Sequence, residues 1–520
     1  MRRKVLPKKK KSAIIKRKRF LYNGRGMKMN TYIGIDLGTS GAKFLLVAAD
    51  GRILTENTQT YPVFYPQSGW SEQNPEDWYS AALRGMEELL KGQDRDAVKG
   101  ISFGGQMHGL VALDKEDKVI RPAILWNDGR TEKQTGYLNE SVGKDKLSAY
   151  TGNIAFAGFT APKILWMKEN EPQNFARIAK IMLPKDYLAY RLSGAFVTDY
   201  SDASGMLLLD VKGRRWSKEM CKICAIDETL LPSLYESYEI VGTLKKEIAA
   251  PLGLSENVKI AAGAGDNAAA AVGTGVVGEG GCNISLGTSG TLFVSSEKYN
   301  EDKVNALHSF CHADGGWHLM GCILSAASCN TWWSDKILQT SDYAREQAGL
   351  EEKLGTNDVY FLPYLMGERS PHNDVNARGG FIGMRADTTR GEMTLAVLEG
   401  VTFALRDCLE AAKKNGADVK STRLCGGGAK SPLWRKIVAS VMNMPVEIPQ
   451  TEQGPAFGAA MLAMVGCGEY KTVKEAADAI VRVKERVTPD AERATRYAEK
   501  YALFTKLYPA QKEIYAHMSV

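Results

Sequence analysis

Tyr32-Ile-Gly-Ile-Asp36-Leu-Gly38-Thr39-Ser40-Gly41 returns in the second half of the chain as Cys282-Asn-Ile-Ser285-Leu-Gly287-Thr288-Ser289-Gly290, with Leu-Gly-Thr-Ser-Gly identical in both copies. In each copy apolar residues alternate (Ile33, Ile35; Ile284, Leu286), pass through the Gly-Thr-Ser-Gly turn and resume in a second apolar run (Phe44-Leu-Leu-Val; Leu292-Phe-Val). That pattern predicts a β-hairpin. The repeat splits 520 residues, more than one hydrophobic core usually serves, into two units of ordinary domain size. Glycines let the turn amides converge and the Thr and Ser hydroxyls add donors, so each tip can nest a phosphate. One such tip is as readily a purely structural turn; two, facing each other across a cleft, would clamp a polyphosphate from both sides.

Other nucleotide signatures fail. No Gly-x₄-Gly-Lys-Ser/Thr occurs, and Gly273-Thr-Gly275-Val-Val-Gly278 follows an alanine-rich helical stretch rather than a strand, so a dinucleotide fold is excluded by context. Residues 273–281 read better as a flexible joint between the halves. With 44% hydrophobic and 24% charged residues, the composition excludes disorder and fibrous classes, and no apolar run is long enough to span a membrane. The net charge of +7 suggests nucleic acid, but residues 1–28 hold thirteen Lys and Arg and no acid, leaving the remainder mildly acidic. That extension (residues 1–30) reads as a basic arm, a targeting segment, or an upstream stretch ahead of a start at Met27 or Met29; it lacks the apolar core of a secretory signal. Nine scattered cysteines without framework spacing fit a reducing cytoplasm, and Cys221-Lys-Ile-Cys224 lacks nearby partners for zinc. His308, Cys311, His312 and His318, set among Phe310 and Trp317, read as strand packing.

Asp36 ends the first repeat strand beside the phosphate turn, where a carboxylate would repel phosphate unless a cation lay between, so Mg²⁺ is expected there; the alternative is an Asx turn. Asp266 and Asn267 follow an apolar strand and the bend Gly263-Ala-Gly265, at a strand's C-terminal end where α/β proteins bind ligands. On this segment alone, Asp before an alanine run reads first as an ordinary helix N-cap; the glycines at 263 and 265, which a ligand needs and a cap does not, point the other way. Gly105-Gln106-Met107-His108-Gly109 places an amide, a thioether and an imidazole between glycines, suited to a polyol or to structural hydrogen bonding. Trp126-Asn-Asp-Gly-Arg130 adds polar groups to the same half. Gly426-Gly427-Gly428-Ala429 precedes a predicted helix 432–442, N-capped by Ser431, and its bare backbone would pack against a purine.

In this order these motifs resemble the FGGY family of carbohydrate kinases over about residues 31–510, and within it the bacterial branch that acts on xylulose. Also specific are Trp70-Ser-Glu-Gln73, Ala123-Ile-Leu-Trp-Asn-Asp-Gly-Arg130, Gly158-Phe-Thr-Ala-Pro-Lys163, Leu183-Pro-Lys-Asp-Tyr187, His308-Ser-Phe-Cys-His312 and Phe361-Leu-Pro-Tyr-Leu-Met-Gly-Glu-Arg369. The resemblance implies an α/β fold of two actin-like (ribonuclease H-like) domains with an interdomain cleft. These would be residues 31–275, holding the sugar, and 276–520, holding ATP. It implies transfer of the γ-phosphate to the 5-hydroxyl of D-xylulose, with ATP and Mg²⁺ as cofactors. It implies Asp266 as general base and Asp36 as an essential acid, both beside the metal. Gln106, Met107, His108 and Asn267 would contact the ketose, and Gly38, Thr39, Ser40, Lys43, Gly287, Thr288, Ser289, Gly427 and Gly428 the nucleotide. No membrane or nucleic-acid partner is expected; a homodimer is left open. The rival class is an actin-like ATPase with no small acceptor, for which the Gln106-Met107-His108 loop has no obvious use.

Overall fold

The computed structural model describes residues 29–451 and 453–518; the basic segment 1–28 and the readings attached to it lie outside them. Strand Thr31–Leu37 is fully engaged on both edges. Gly41–Ala48 pairs with it antiparallel through the repeat turn, opposing Asp36 to Lys43, and Val98–Gly105 pairs parallel on the other side, opposing Asp36 to Gly104. Outward lie Ile53–Thr60 beyond the hairpin, and Lys259–Ala261 and Ile240–Thr243 beyond Val98–Gly105. The second copy repeats the plan. Cys282–Leu286 pairs antiparallel with Gly290–Ser296 and parallel with Thr422–Cys425, flanked by Trp317–Ile323 and His308–Cys311 on one side and Val446–Pro449 and Val483–Val487 on the other. The hairpins expected from the repeat are therefore present at corresponding places in two mixed sheets, and the α/β, two-sheet architecture follows from the duplication.

Helices cover these sheets for local reasons. Pro75–Leu89 begins with proline behind an Asn74 cap and buries Trp78, Ala82 and Met86 at helical spacing against the first sheet. Arg390–Lys414 opens with a Thr389/Glu392 capping box and packs Leu395, Leu398, Leu405 and Leu409 into the second core. Pro432–Met442 starts where predicted: the Ser431 hydroxyl accepts the Trp434 N–H at 3.1 Å.

Gly454–Gly466, an apolar helix late in the chain, lies on the first sheet and crosses Asp266–Gly273. The backbones meet because there is no side chain at the contacts. A Cβ on Gly458 would run into the Ala269 carbonyl, and one on Gly34 into the Ala456 carbonyl. Residues 273–281, expected as a flexible joint, are instead latched. Val276 N–H donates to Ala271 O at 2.7 Å, Gly278 N–H to Asp314 Oδ2 at 2.7 Å and Gly280 N–H to Ser295 O at 3.0 Å, while Arg423 holds the Thr274 carbonyl. Glycine here serves tight turns with positive φ at 275, 278 and 280, and the bonded backbone removes the freedom a hinge needs.

Candidate active site

Leu37, Gly105 and Gly265 end three adjacent parallel strands in register, since Leu37 opposes Gly105 and Gly105 opposes Gly265. Their C-terminal ends deliver Asp36, the 106–108 loop and Asp266 to one place. The N-cap reading of Asp266 fails: Gly265 occupies the cap position and Asp266 is the first helical residue. Its Oδ1 accepts the Asn267 backbone N–H at 2.7 Å and the Asn267 side-chain amide at 3.0 Å. Burial, then the charge of Asp36, pushes the Asp266 carboxyl up to about 7. Burial pushes Asp36 up to about 6, opposed by Lys43. Lys43 itself is half-buried and stands 3.8 Å from Glu56.

His108 has a backbone φ of 69°. Its Nδ1 lies 2.8 Å from the Gly205 carbonyl, which only accepts, so Nδ1 carries the proton and Nε2 is left as an acceptor. Burial pushes the ring down to about 3, so it is neutral. Phe159 stacks on it at 4.7 Å. Met107 is buried, with its sulfur 3.9 Å from the Asn267 amide. Asp266, Asn267, Met107 and His108 thus form one continuous surface.

Gln106, expected among the sugar contacts, is only 2% exposed and has both amide atoms engaged: Nε2 donates to Gln73 Oε1 at 2.8 Å and Oε1 accepts the Thr39 hydroxyl at 3.2 Å. Gln73 in turn donates to the Thr39 carbonyl at 2.6 Å, and exposed Trp126 donates to the Thr39 hydroxyl at 2.9 Å. Three side chains from separate segments fix the first turn, with Gln106 behind it.

The second turn is braced differently. Ala327 and Ala326 N–H donate to the Gly287 and Thr288 carbonyls at 2.8 and 2.9 Å, and Ser328 hydroxyl donates to the Thr288 carbonyl at 2.7 Å. Gly287, Thr288, Trp332, Lys336 and Gly427 line a cavity of about 580 Å³. Gly428 does not join them. It is buried, and a Cβ there would stand 2.8 Å from Leu286 Cβ and 2.9 Å from the Trp434 ring, so it allows packing beneath the cavity floor. Ser289 is exposed at the tip, and among the described residues no hydrogen bond or ion pair joins the two turns.

Sequence reading missed the supports. Lys163, fully buried, donates to the His108 carbonyl at 2.8 Å and the Gly158 carbonyl at 2.7 Å, with Thr160 hydroxyl also on His108 O at 3.1 Å. Beneath Asp266, Lys185 meets Asp186 at 2.6 Å and Asp199 at 2.9 Å, and Ser201, bonded to Asp199, accepts the Gly265 N–H at 3.1 Å. The signal was a lysine inside each of two short motifs, beside Asp186 in one and with no acid near it in the other. Arg369, from the second half, lies 5.2 Å over the Phe156 ring of the first, and no carboxylate pairs with it among the described residues. The histidine cluster packs aromatic rings: His308 stacks on Phe310 at 5.5 Å and His318 on Phe293 at 4.0 Å.

Residues 31–273 match the N-terminal domain of the FGGY family of carbohydrate kinases and residues 282–467 its C-terminal domain. The chain is 41% identical to the xylulose kinase of Escherichia coli strain K12 over 479 residues, covering 92% of this chain and 98% of that protein. The crystal structure of a "xyloylose kinase" from Brucella ovis superposes with TM-score 0.88 at 40% identity, covering 93% of this chain and 100% of that one. The gluconate kinase of Lactobacillus acidophilus superposes equally well, TM-score 0.89 at 25% identity over 95% of this chain and 100% of that one. Both halves match in order and almost the whole length aligns, so the chain belongs to the FGGY family of carbohydrate kinases.

Proposed function

We propose that this protein is an ATP-dependent sugar kinase that transfers the terminal phosphate of ATP to the 5-hydroxyl of D-xylulose, releasing ADP and D-xylulose 5-phosphate for D-xylose use. Family membership makes it a carbohydrate kinase that uses ATP, and near full-length likeness to a xylulose kinase supports the acceptor. The carrying observation is the surface on which Asp266 stands beside Asn267, Met107 and a neutral His108. It offers a ketose one base, one amide, one imidazole acceptor and an apolar wall.

Asp266 takes the proton of the attacking hydroxyl. An ordinary aspartate near ~3.9 is a weak base; without the ion, burial and the Asp36 charge raise the Asp266 carboxyl, a dication beside it would draw it down again, and its task is to orient the hydroxyl and take the proton late. The Nε2 of His108 accepts from a sugar hydroxyl, and Asn267 holds Asp266 as well as a second hydroxyl. Gly38, Thr39 and Ser40 receive the terminal phosphates with Lys43 nearby, Gly287 and Thr288 receive the inner ones, and Gly427 and Trp332 face the adenosine. Asp36 and Asp266 are the carboxylates that would hold Mg²⁺: each is half-buried, and the charge of Asp36 raises Asp266, so the pair suits a dication. Bound there, the ion would offset charge on the phosphates during transfer. All nine cysteines are free thiols, six of them buried, which suits the cytoplasm.

The near-equal superposition on a gluconate kinase means that the fold does not choose the acceptor. The test is ADP release with Mg-ATP, comparing D-xylulose, L-ribulose, D-fructose, glycerol and gluconate with a no-sugar blank. Strong dependence on D-xylulose is expected. Preference for another acceptor, or hydrolysis independent of sugar, would overturn the assignment.

A further inference from the structure

Outside the reaction site, the C-terminal end of helix Arg390–Lys414 and the middle of helix Ala491–His517 enclose a cavity of about 360 Å³. That volume lies within the roughly 300–1,000 Å³ of small-molecule sites. Its walls are aromatic, from Tyr364, His372, Tyr501 and Tyr508, and its acids are Asp407 and Glu410. The two acids are not equivalent. Glu410 is neutralised by Arg406 at 3.7 Å and Lys413 at 3.3 Å. Asp407 accepts only the Tyr501 hydroxyl, at 2.6 Å, and no cationic nitrogen lies within 4 Å of it among the described residues.

The other charged groups in reach do not meet that need. Arg406 is 4.2 Å over the Tyr501 ring and donates to the Val441 carbonyl at 2.8 Å. Lys414 is exposed at the rim. His372 stacks on Tyr508 at 3.8 Å, accompanies the Tyr364 hydroxyl at 3.2 Å, and is pushed down to about 4 by burial, so it adds no charge. The carbonyl end of a 25-residue helix contributes further negative potential. Burial pushes Asp407 up to about 7, opposed by the Tyr501 hydroxyl and the more distant charges of Arg406 and Lys414, neither of which makes an ion pair with it.

We propose that this cavity is a binding site for a small organic cation, an amine or quaternary ammonium, whose charge meets Asp407 and whose hydrocarbon lies against the tyrosines. An anion would face two carboxylates and a helix C-terminus. A bare divalent ion would find carbon where it needs further oxygen ligands. A compact ammonium on an alkyl stem satisfies both the acid and the rings. The site does not depend on which sugar the protein phosphorylates.

The test uses the full-length protein at a pH of about 8, where Asp407 is ionised. Diaminopentane, choline and neutral pentanediol are titrated calorimetrically into wild type, Asp407→Asn and Ala411→Phe. Asparagine keeps the size and the Tyr501 hydrogen bond but removes the charge, whereas phenylalanine fills the cavity. At least one cation is expected to bind saturably, with affinity lowered about tenfold or more by Asp407→Asn and abolished by Ala411→Phe. Sugar-dependent ADP release, which does not involve the cavity, should persist in both variants and reports that they are folded. Should either variant misfold, the other decides the question. The proposal is overturned if neither cation binds, if the folded variants bind as wild type does, or if pentanediol binds as tightly as diaminopentane.

Discussion

Asp266 and His108 each carry a chemical state set first by burial, with the charge of Asp36 adding to it at Asp266. Replacing Asp266 by asparagine keeps the bond geometry but removes the base. Sugar-dependent ADP release should fall by about a thousandfold, while equilibrium binding of ATP stays near wild type; loss of ATP binding would count against the role. For His108, the ring is neutral at every pH above about 3, against its ordinary value of 6.5. Unfolded, the ring takes up a proton between those values. Its contribution to stability is therefore complete above pH 6.5 and is lost as pH falls toward 3. Histidine NMR between about pH 5 and 8 should show the His108 signals unmoved; a midpoint in that range would show a ring open to water. Lys163 acts on His108 from behind, through its carbonyl. Lys163→Met strands the half-buried Gly158 carbonyl, at a cost of about 1–3 kcal/mol, and leaves the His108 carbonyl held by the Thr160 hydroxyl alone. The KM for the sugar should rise about tenfold with the KM for ATP unchanged, and equal effects on both would point to general disorder.

Among the elements, the strands and turns were legible because the repeat states them twice. Asp36 and Asp266 came from their places at strand ends, and the Ser431 cap from its place just before Pro432 at the start of the helix. What was not legible depends on contacts across the sequence. Gln106 looked like a ligand for sugar because nothing near it in sequence shows that Gln73 and Thr39 occupy its amide. Gly428 looked like nucleotide backbone because Trp434 and Leu286 press on it only after folding. The glycines at 273–281 looked loose, since composition does not reveal that Asp314, Ser295 and Arg423 come from elsewhere to bind their backbone. The crossing of Asp266–Gly273 and Gly454–Gly466 gives an element-scale prediction. Gly458→Ala forces the helices apart, an overpacking cost of about 1–3 kcal/mol. Thermal unfolding should occur several degrees lower, with ADP release reduced because Asp266 rides on one of these helices. An unchanged melting temperature would show that the contact yields.

For the whole molecule, the two halves of the chain are not two independent bodies. Gly454–Gly466 and Val473–Ile480 pack with Tyr32, Leu45 and Val47 in one apolar cluster, so the end of the sequence finishes the domain that the beginning starts. A fragment of residues 29–273 should therefore be insoluble when made alone, and co-production of residues 274–518 should rescue it. A soluble fragment with cooperative unfolding would refute this dependence.

The same arrangement governs how the protein is made. During synthesis the first sheet emerges early, yet the helix that covers one of its faces is translated only some 180 residues after residue 273, a delay on the order of tens of seconds at ordinary ribosome speed. Through that interval the nascent chain exposes a sheet face built from Tyr32, Leu45 and Val47. Conditions that keep that face covered until Gly454–Gly466 has been made should therefore favour soluble protein.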